Sequence, residues 1–535
     1  MKKRFFPIAL AALLIGGTFT QCEKKLDLSP LGTLDEQTFY QSENDFKGAV
    51  LLAYSSLLNY TYDQLDGGGW FKGVLLPDDD STYPNSSTDN ADLFNWTSTD
   101  GTWRALWQTT YKGVQRSNII LEKLPQSTAM TDAQKKVFEG EARFLRAYYN
   151  FFLVTQFGQA PLIEKTARSL EETRTGNSTP GQLWDIVISD LKSAKEGLPE
   201  KWDEGNVGRA TKGAATAMLG KALLYRAQWE KKPALYTEAA AELQSLVGKY
   251  TLVKNVQDNF TPTTENNPES IFEIQMGLGG GNPWLPADFN FSAGGNSIGD
   301  AGTARLIYFR ASCGPNNDCA PGSNAQGYGQ IQITTPLQTE FEKGDPRRPV
   351  TIFVEGDNYD TGENANGSKN WVYKSIFSGT GSSPAKYVRK DNNIDFRSPL
   401  SVNNERVIRY ADVLLMLAEC KIVGPAKDLP GAAALINQVR RRADPSALVL
   451  PDVKVGTEAD LFKALRHERR VELALESHRY NDLVRWHRAG LINIKQDVDF
   501  GRQAANANWS EKNLLKPIPQ SERDLNPALV QNVGY

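Results

Sequence analysis

The chain has 535 residues, 40% of them hydrophobic, with a formal net charge of −3. That length exceeds one ordinary core and calls for a large scaffold with insertions or for several domains. Three leader cations set aside, the remainder carries 57 basic against 63 acidic residues, and its longest basic cluster is Arg440-Arg441-Arg442, which excludes a nucleic-acid surface.

Residues 1–21 have the layout of an export signal. Lys2-Lys3-Arg4 is a basic start, and Phe5 to Ile15 is an apolar run broken only by Pro7. The run is too short to span a bilayer. Cys22 follows directly, where bacterial lipoproteins are lipidated, although Gln21 stands where a small residue is usual. Residues 22–34 form a polar tether. Lipid on Cys22, helped by a protein partner, is the expected membrane attachment.

Residues 35–249 read as a helical scaffold. Phe39, Phe46, Val50, Ala53 and Leu57 mark a helix within Asp35–Tyr60. Residues 61–101 interrupt it with Gly67-Gly68-Gly69-Trp70, Asp78-Asp79-Asp80 and Asn95-Trp96. A bare acidic run of this kind is expected to be a solvated loop, and it lacks the ordered spacing of a calcium site. Trp103–Leu124 returns to helix.

In the next helix Phe138, Ala142, Leu145, Tyr149 and Phe152 recur at spacings of 4, 3, 4 and 3, with a second stripe through Phe144, Tyr148 and Phe151. A helix apolar on two faces is wrapped by others. Thr131-Asp132 offers its cap and Gly158 its end. Glu141, Arg143 and Arg146 in the same helix require charged partners. Leu183–Leu198, Thr211–Trp229 and Tyr236–Val247 complete this part, the last two as a loose tetratricopeptide-like hairpin without a strict 34-residue period.

Residues 250–402 lose helical periodicity. Short strand-like pieces lie at Ile271–Met276, Gln330–Thr334, Val350–Val354 and Lys386–Arg389. Between them run glycine- and asparagine-rich loops, and long loops of this kind usually carry function. Cys313 and Cys319 flank such a turn in an exported chain, so a local disulfide is expected there in preference to a metal site. Residues 403–535 resume helices at Arg409–Ile422, Ala432–Arg442 and Glu458–Arg488. Cys420 is expected as a buried free thiol.

Glu468 and Glu472 continue an apolar stripe through Leu461, Leu465 and Leu475. Two such carboxylates suit ion pairing with Arg143, Arg146, Arg440 or Arg469 better than acid–base chemistry around a sugar. The histidines, His467, His478 and His487, accompany no catalytic or metal motif and read as surface or capping groups. Trp70, Trp96, Trp284, Tyr328 and Trp371 sit in polar loops, where flat sugar faces pack on aromatic rings and hydroxyls meet groups such as Asp79, Asn290 and Arg310. Each ring could equally anchor its own loop.

Ordered motifs then add up along nearly the whole chain. They are Trp103-(x3)-Trp107-(x3)-Tyr111 into Arg116-Ser117-Asn118, Gly140 to Ala147, Pro161-Leu162, Arg209-Ala210-Thr211-Lys212, Glu340-Phe341 and Asp345-Pro346-Arg347-Arg348. Arg409 to Glu419, Asn437 with Val439-Arg440, Glu468 to Leu473, Arg479 to Trp486, Pro517-Ile518-Pro519 and Gln531 to Tyr535 follow. In these the chain resembles the SusD/RagB outer-membrane nutrient-binding lipoproteins of the Bacteroidetes. The resemblance implies a mainly α, SusD-like fold with four tetratricopeptide-like helix pairs and a loop-rich half carrying the ligand site. It implies a surface-exposed, lipid-anchored protein of the cell outer membrane. It further implies a SusC-like TonB-dependent transporter as partner, oligosaccharide as ligand, and neither catalysis nor a cofactor or metal. A RagB-like peptide binder and a two-carboxylate glycosidase are the alternatives.

Overall fold

The computed structural model describes residues 39–59, 71–84, 89–169, 171–276, 292–293, 296–297, 309, 329–358, 372–388 and 403–535. Helices dominate. They are α1 Glu43–Asn59, α2 Gly101–Lys123, α3 Asp132–Phe157, α4 Gln182–Gly197, α5 Lys212–Trp229 and α6 Ala234–Gln244. After the loop-rich half come α7 Tyr410–Val423, α8 Leu429–Ala443, α9 Glu458–Leu473 and α10 Arg479–Ala489. Successive helices pack on one another from α1 to α6, and α7 returns against α6. The result is four consecutive pairs, α1/α2, α3/α4, α5/α6 and α7/α8, as the mainly α fold requires. Each buries a face that it could not bury alone.

The centre is α3. Thr131 accepts the Gln134 N–H at 3.3 Å, and the Gln134 side chain accepts the Thr131 N–H at 2.9 Å, closing a reciprocal cap. Phe144 meets Phe272 edge-on at 5.0 Å, while Phe151 packs on Trp184 at 5.8 Å and Tyr225 at 5.2 Å. Tyr149 donates to the Ala53 carbonyl at 2.7 Å and lies against Gly113 of α2. A Cβ on Gly113 would stand 2.4 Å from that ring, so the α2–α3 approach requires glycine. Gly158 ends the helix with φ of 72°.

The charges on α3 find nearer partners than expected. Arg143 and Arg146 both reach Asp190 of α4, at 2.8 and 2.7 Å. Glu141 pairs with Arg209, whose Nε donates at 2.7 Å. Neither Glu468 nor Glu472 is involved. The α3–α4 contact brings Asp190 into reach, which a reading of α3 alone does not reveal.

The strands are short. β1 Ser81–Thr82 pairs with β3 Gln332–Ile333, β2 Ser270–Ile274 with β6 Glu405–Arg409, and β4 Ile352–Phe353 with β5 Ser383–Pro384, all antiparallel. The helix expected at Arg409–Ile422 is α7, which follows β6 directly, while Lys386, expected in a strand, lies in a turn just after β5. Lys386 explains a larger departure. The expected continuous helix Glu458–Arg488 breaks at 474–478, where Leu475 and Ser477 adopt φ of 65° and 64°. The buried Lys386 ammonium donates to the carbonyls of Glu472 (2.9 Å) and Ala474 (2.8 Å) and to the Glu476 carboxylate (2.7 Å). It satisfies acceptors that a helix end leaves open. The left-handed residues cost strain of about 1–3 kcal/mol each, sustained by that over-determined surrounding.

Among the described residues there are two buried apolar clusters. The large one fills the helical scaffold. The smaller one includes Leu75, Phe260, Ile333, Phe353 and Tyr373 of the loop-rich half and takes in Ala474 and Leu475 from the α9–α10 break. That break therefore lets the helical half contribute apolar side chains to the loop-bearing half.

Candidate functional site

The loop-bearing half is docked on α9 and α10 by buried charge. Asp78, Asp79 and Asp80 are buried, not solvated. Arg479 grips both oxygens of Asp79 at 2.7 and 2.8 Å, and Arg470 reaches Asp80 at 2.7 Å and the Asp79 carbonyl at 2.9 Å. Burial would raise the Asp79 carboxyl, but Arg470 and Arg479 outweigh it and hold it down at about 2. Among the described residues no arginine pairs with Asp78. Burial and the neighbouring aspartates push it well above the usual range, while it accepts the N–H groups of Asp80 and Ser81, each at 2.9 Å. Asp79 is thus spent on the scaffold and is unavailable to a ligand, a correction to its expected role.

A second dock lies deeper. Arg347 contacts Asp345, Glu468 and Glu472. Arg409 reaches Glu269 (2.7 Å), Glu472 (2.6 Å) and Glu476 (2.7 Å), and Arg442 joins Glu269 and Glu472. Glu468 also meets Arg440 at 3.0 Å. Of the partners expected for these two glutamates, Arg440 alone is among them. Arg469 serves Asp412 and Asp482 instead, each at 2.9 Å. Burial works against an ionised Glu472, yet Arg442, Arg409 and Arg347 drive its carboxyl well below its ordinary value. Such a group holds no proton to donate and presents no free oxygen to a sugar.

The histidines, expected as surface or capping groups, are more engaged than that, although His478 does stand at the N-cap position of α10. His467 is wedged between Glu340 (2.7 Å) and Glu342 (3.2 Å). Burial opposes its charge, but the two carboxylates prevail and lift it to about 9. His478 is buried 3.2 Å from Lys221. Burial and that ammonium depress it to about 4 despite Asp412. His487 reaches Glu511 at 3.1 Å and accepts the Ile494 N–H at 3.2 Å. Among the described residues no cluster of His, Cys, Asp and Glu could hold a metal ion, and no helix is long and apolar enough to cross a membrane. Cys420 is a buried free thiol.

Trp96 belongs to the core. Its Nε1 donates to the Ala91 carbonyl at 3.0 Å, and its ring packs on Trp103 at 5.1 Å and Phe94 at 5.5 Å. Lys516 brings its ammonium 5.0 Å from the same ring. This is a loop anchor, so Trp96 offers no face for a sugar. Trp70, Trp284, Asn290, Arg310, Tyr328 and Trp371 lie outside the described residues, as do Cys22, Cys313 and Cys319. For Trp70, Arg310, Tyr328 and Trp371, the neighbours in sequence Leu75, Phe309, Ile331 and Tyr373 pack in the smaller apolar cluster, whereas Met276, the last described residue before Trp284, packs in the large one.

One open cleft of about 520 Å³ was not anticipated. Trp202, Arg209, Tyr250, Asn266 and Asn267 border it. Arg209 covers the Trp202 ring at 4.0 Å and Trp202 donates to the Ala210 carbonyl at 2.8 Å, so the indole is already engaged. Asn267 likewise donates to the Asp258 carbonyl.

Known proteins share this fold. The model of the SusD family matches residues 268–535, and a model described as starch-binding associating with outer membrane matches residues 76–224. The SusD-like protein P25 of Formosa agariphila is 28% identical over 99% of both chains. The starch-binding protein SusD of Bacteroides thetaiotaomicron is 24% identical, over 100% of this chain and 99% of that one. A solved structure described as a laminarin binding SusD-like protein superposes with a TM-score of 0.70, at 26% identity, over 93% of this chain and 100% of that one.

Proposed function

Because the chain belongs to the SusD/RagB family, we propose that it is a glycan-binding protein of the cell outer membrane, which captures oligosaccharide at the surface and delivers it to a SusC-like TonB-dependent transporter. Lipid on Cys22 anchors it there. The observation that carries this reading is the common origin of its loops. Arg310, Tyr328 and Trp371 stand one, three and two residues from Phe309, Ile331 and Tyr373, which share one apolar cluster. Trp70 is five residues from Leu75 of the same cluster.

Aromatic faces with Arg and Asn at their rim are what a sugar ring with many hydroxyls needs. Trp284 and Asn290 belong to the same loop-rich stretch and join the proposed set. Starch and laminarin, the glycans in the relatives' descriptions, are glucose polymers that present such faces. Binding without catalysis is supported by Glu468 and Glu472, whose oxygens are engaged by Arg347, Arg409, Arg440 and Arg442. The test is calorimetry of the soluble chain beginning after Cys22 against starch- and laminarin-derived oligosaccharides, with released reducing ends assayed in parallel. Saturable binding without release is expected. Release of reducing ends would overturn the binding-only assignment.

A further inference from the structure

A second cleft of about 540 Å³ opens along α9. Lys463, Arg466, His467 and Arg470 line it at intervals of three, one and three along the helix, which places them on one face. Arg440 and Arg479 add two more guanidinium groups to the wall.

The acids of the cleft are all engaged. Glu340 binds His467 and Arg470, at 2.7 and 3.2 Å. Glu342 binds Arg440 at 2.7 Å and His467 at 3.2 Å. Asp460 closes the cap of α9 on Thr457 (2.7 Å), and Asp497 accepts the Asn493 N–H at 2.6 Å. On the basic side, Arg470 and Arg479 are held by Asp79, and Arg440 by Glu342 and Glu468.

Two cations are left over. Among the described residues no ion pair includes Lys463 or Arg466. Lys463 is exposed. The Arg466 Nε is buried without a hydrogen-bond partner, and its guanidinium carbon lies 5.6 Å from the Phe462 ring. An unpaired guanidinium on the cleft wall, set beside further cations, is matched by an incoming anion. The remaining wall is apolar at Val453, Leu483 and Val498, and the volume falls in the range of small-molecule sites, about 300–1,000 Å³. A concave site with apolar sides suits a ring bearing an acid group better than an extended acidic segment.

We propose that this cleft binds an acidic sugar unit, a uronate carboxylate or a sugar sulfate ester, through Arg466 with Lys463 as its second cation. The saccharide part of the assignment rests on the glycan-binding reading above, while the anion part stands on the cleft alone. Burial and nearby Arg479 weaken the hold of Arg466 on its proton, and a bound anion would reverse that tendency.

The test is calorimetric titration of the soluble chain with glucuronate, glucose 6-sulfate, glucose, inorganic sulfate and tetra-aspartate, at low and at physiological ionic strength. One acidic sugar is expected to bind saturably at one site, glucose not to bind there, and added salt to weaken binding. Arg466→Gln is expected to weaken it about tenfold or more, Lys463→Gln less, and Arg466→Lys to fall between wild type and Arg466→Gln. Neutral laminari-oligosaccharides, measured on the same variants, are expected to bind as to wild type, so failure of this site and failure of the loop site are read separately. The proposal is overturned if neither acidic sugar binds, if Arg466→Gln and Lys463→Gln both bind as wild type, or if tetra-aspartate or inorganic sulfate binds as tightly as the sugars.

Discussion

Arg347 stands between Asp345 on its own turn and the pair Glu468 and Glu472 on α9, and its side chain is almost wholly buried. Glu472 is in turn held by Arg409 and Arg442. Ions so deeply buried are stabilising only as a set, because each was costly to take from water. Removing one member strands the others. Glu472→Gln or Arg347→Met is therefore expected to cost about 3–5 kcal/mol. Denaturant unfolding measures it. Unchanged stability together with lost ligand binding would show instead that the pair serves a ligand.

The Asp79 lock gives a more local prediction. Asp79→Ala leaves Arg479 and Arg470 without their shared carboxylate, at a largely buried site. The expected cost is about 3 kcal/mol, and amide hydrogen exchange should speed up first in residues 71–84 and in β3. Uniform acceleration across α1 to α6 would contradict this division.

His467 sets a pH dependence. Its folded value of about 9 lies above the ordinary 6.5, so the folded chain binds more protons between those limits. Its contribution is complete below pH 6.5 and is lost as pH rises through 9. Glu342 works in the opposite sense. Although burial raises its carboxyl, His467 and Arg440 hold it at about 2, so its contribution is present above pH 4.5 and is lost as pH falls through 2. With a discount for partial exposure, His467 is worth about 2 kcal/mol at pH 6. His467→Gln should flatten the fall in stability between pH 6.5 and 9, which urea unfolding across that window reads.

The α2–α3 contact predicts a steric effect. Gly113→Ala drives a methyl group to 2.4 Å from the Tyr149 ring, and that ring is fixed by its bond to Ala53. Overpacking of this kind costs about 1–3 kcal/mol. The double variant Gly113→Ala, Tyr149→Leu should lose less than the two separate losses combined, because the clash disappears.

The periodicity of α3, its cap and its glycine end were legible because they depend on residues a few positions apart. One helix hairpin, Thr211–Trp229 with Tyr236–Val247, followed from the same short-range signals, and the set of four from the family resemblance. What could not be read was which element returns beside which. Asp80 meets an arginine 390 positions later, so the acidic run looks like a solvated loop until α9 is docked against it. Trp96 was read as a possible stacking face because its neighbours are polar, yet Trp103, Tyr480 and Lys516 converge on it from three separate segments. The helix break at 474–478 depends on Lys386, almost ninety positions away. Arg466 carried a weaker signal that was within reach, a helix face of four bases at intervals of three, one and three.

The central claim is that a helical scaffold presents loop aromatics to a glycan. It is tested most directly by calorimetry of the soluble chain and its Trp284→Ala, Tyr328→Ala, Trp371→Ala variant, against whichever oligosaccharide of the starch and laminarin series binds. Stacking is worth about 0.5–1.5 kcal/mol per ring, so three rings should account for roughly tenfold or more in affinity. The account predicts that loss with an unchanged unfolding midpoint, since the core keeps its own aromatic set. Equal affinity in the variant and the wild type would contradict it.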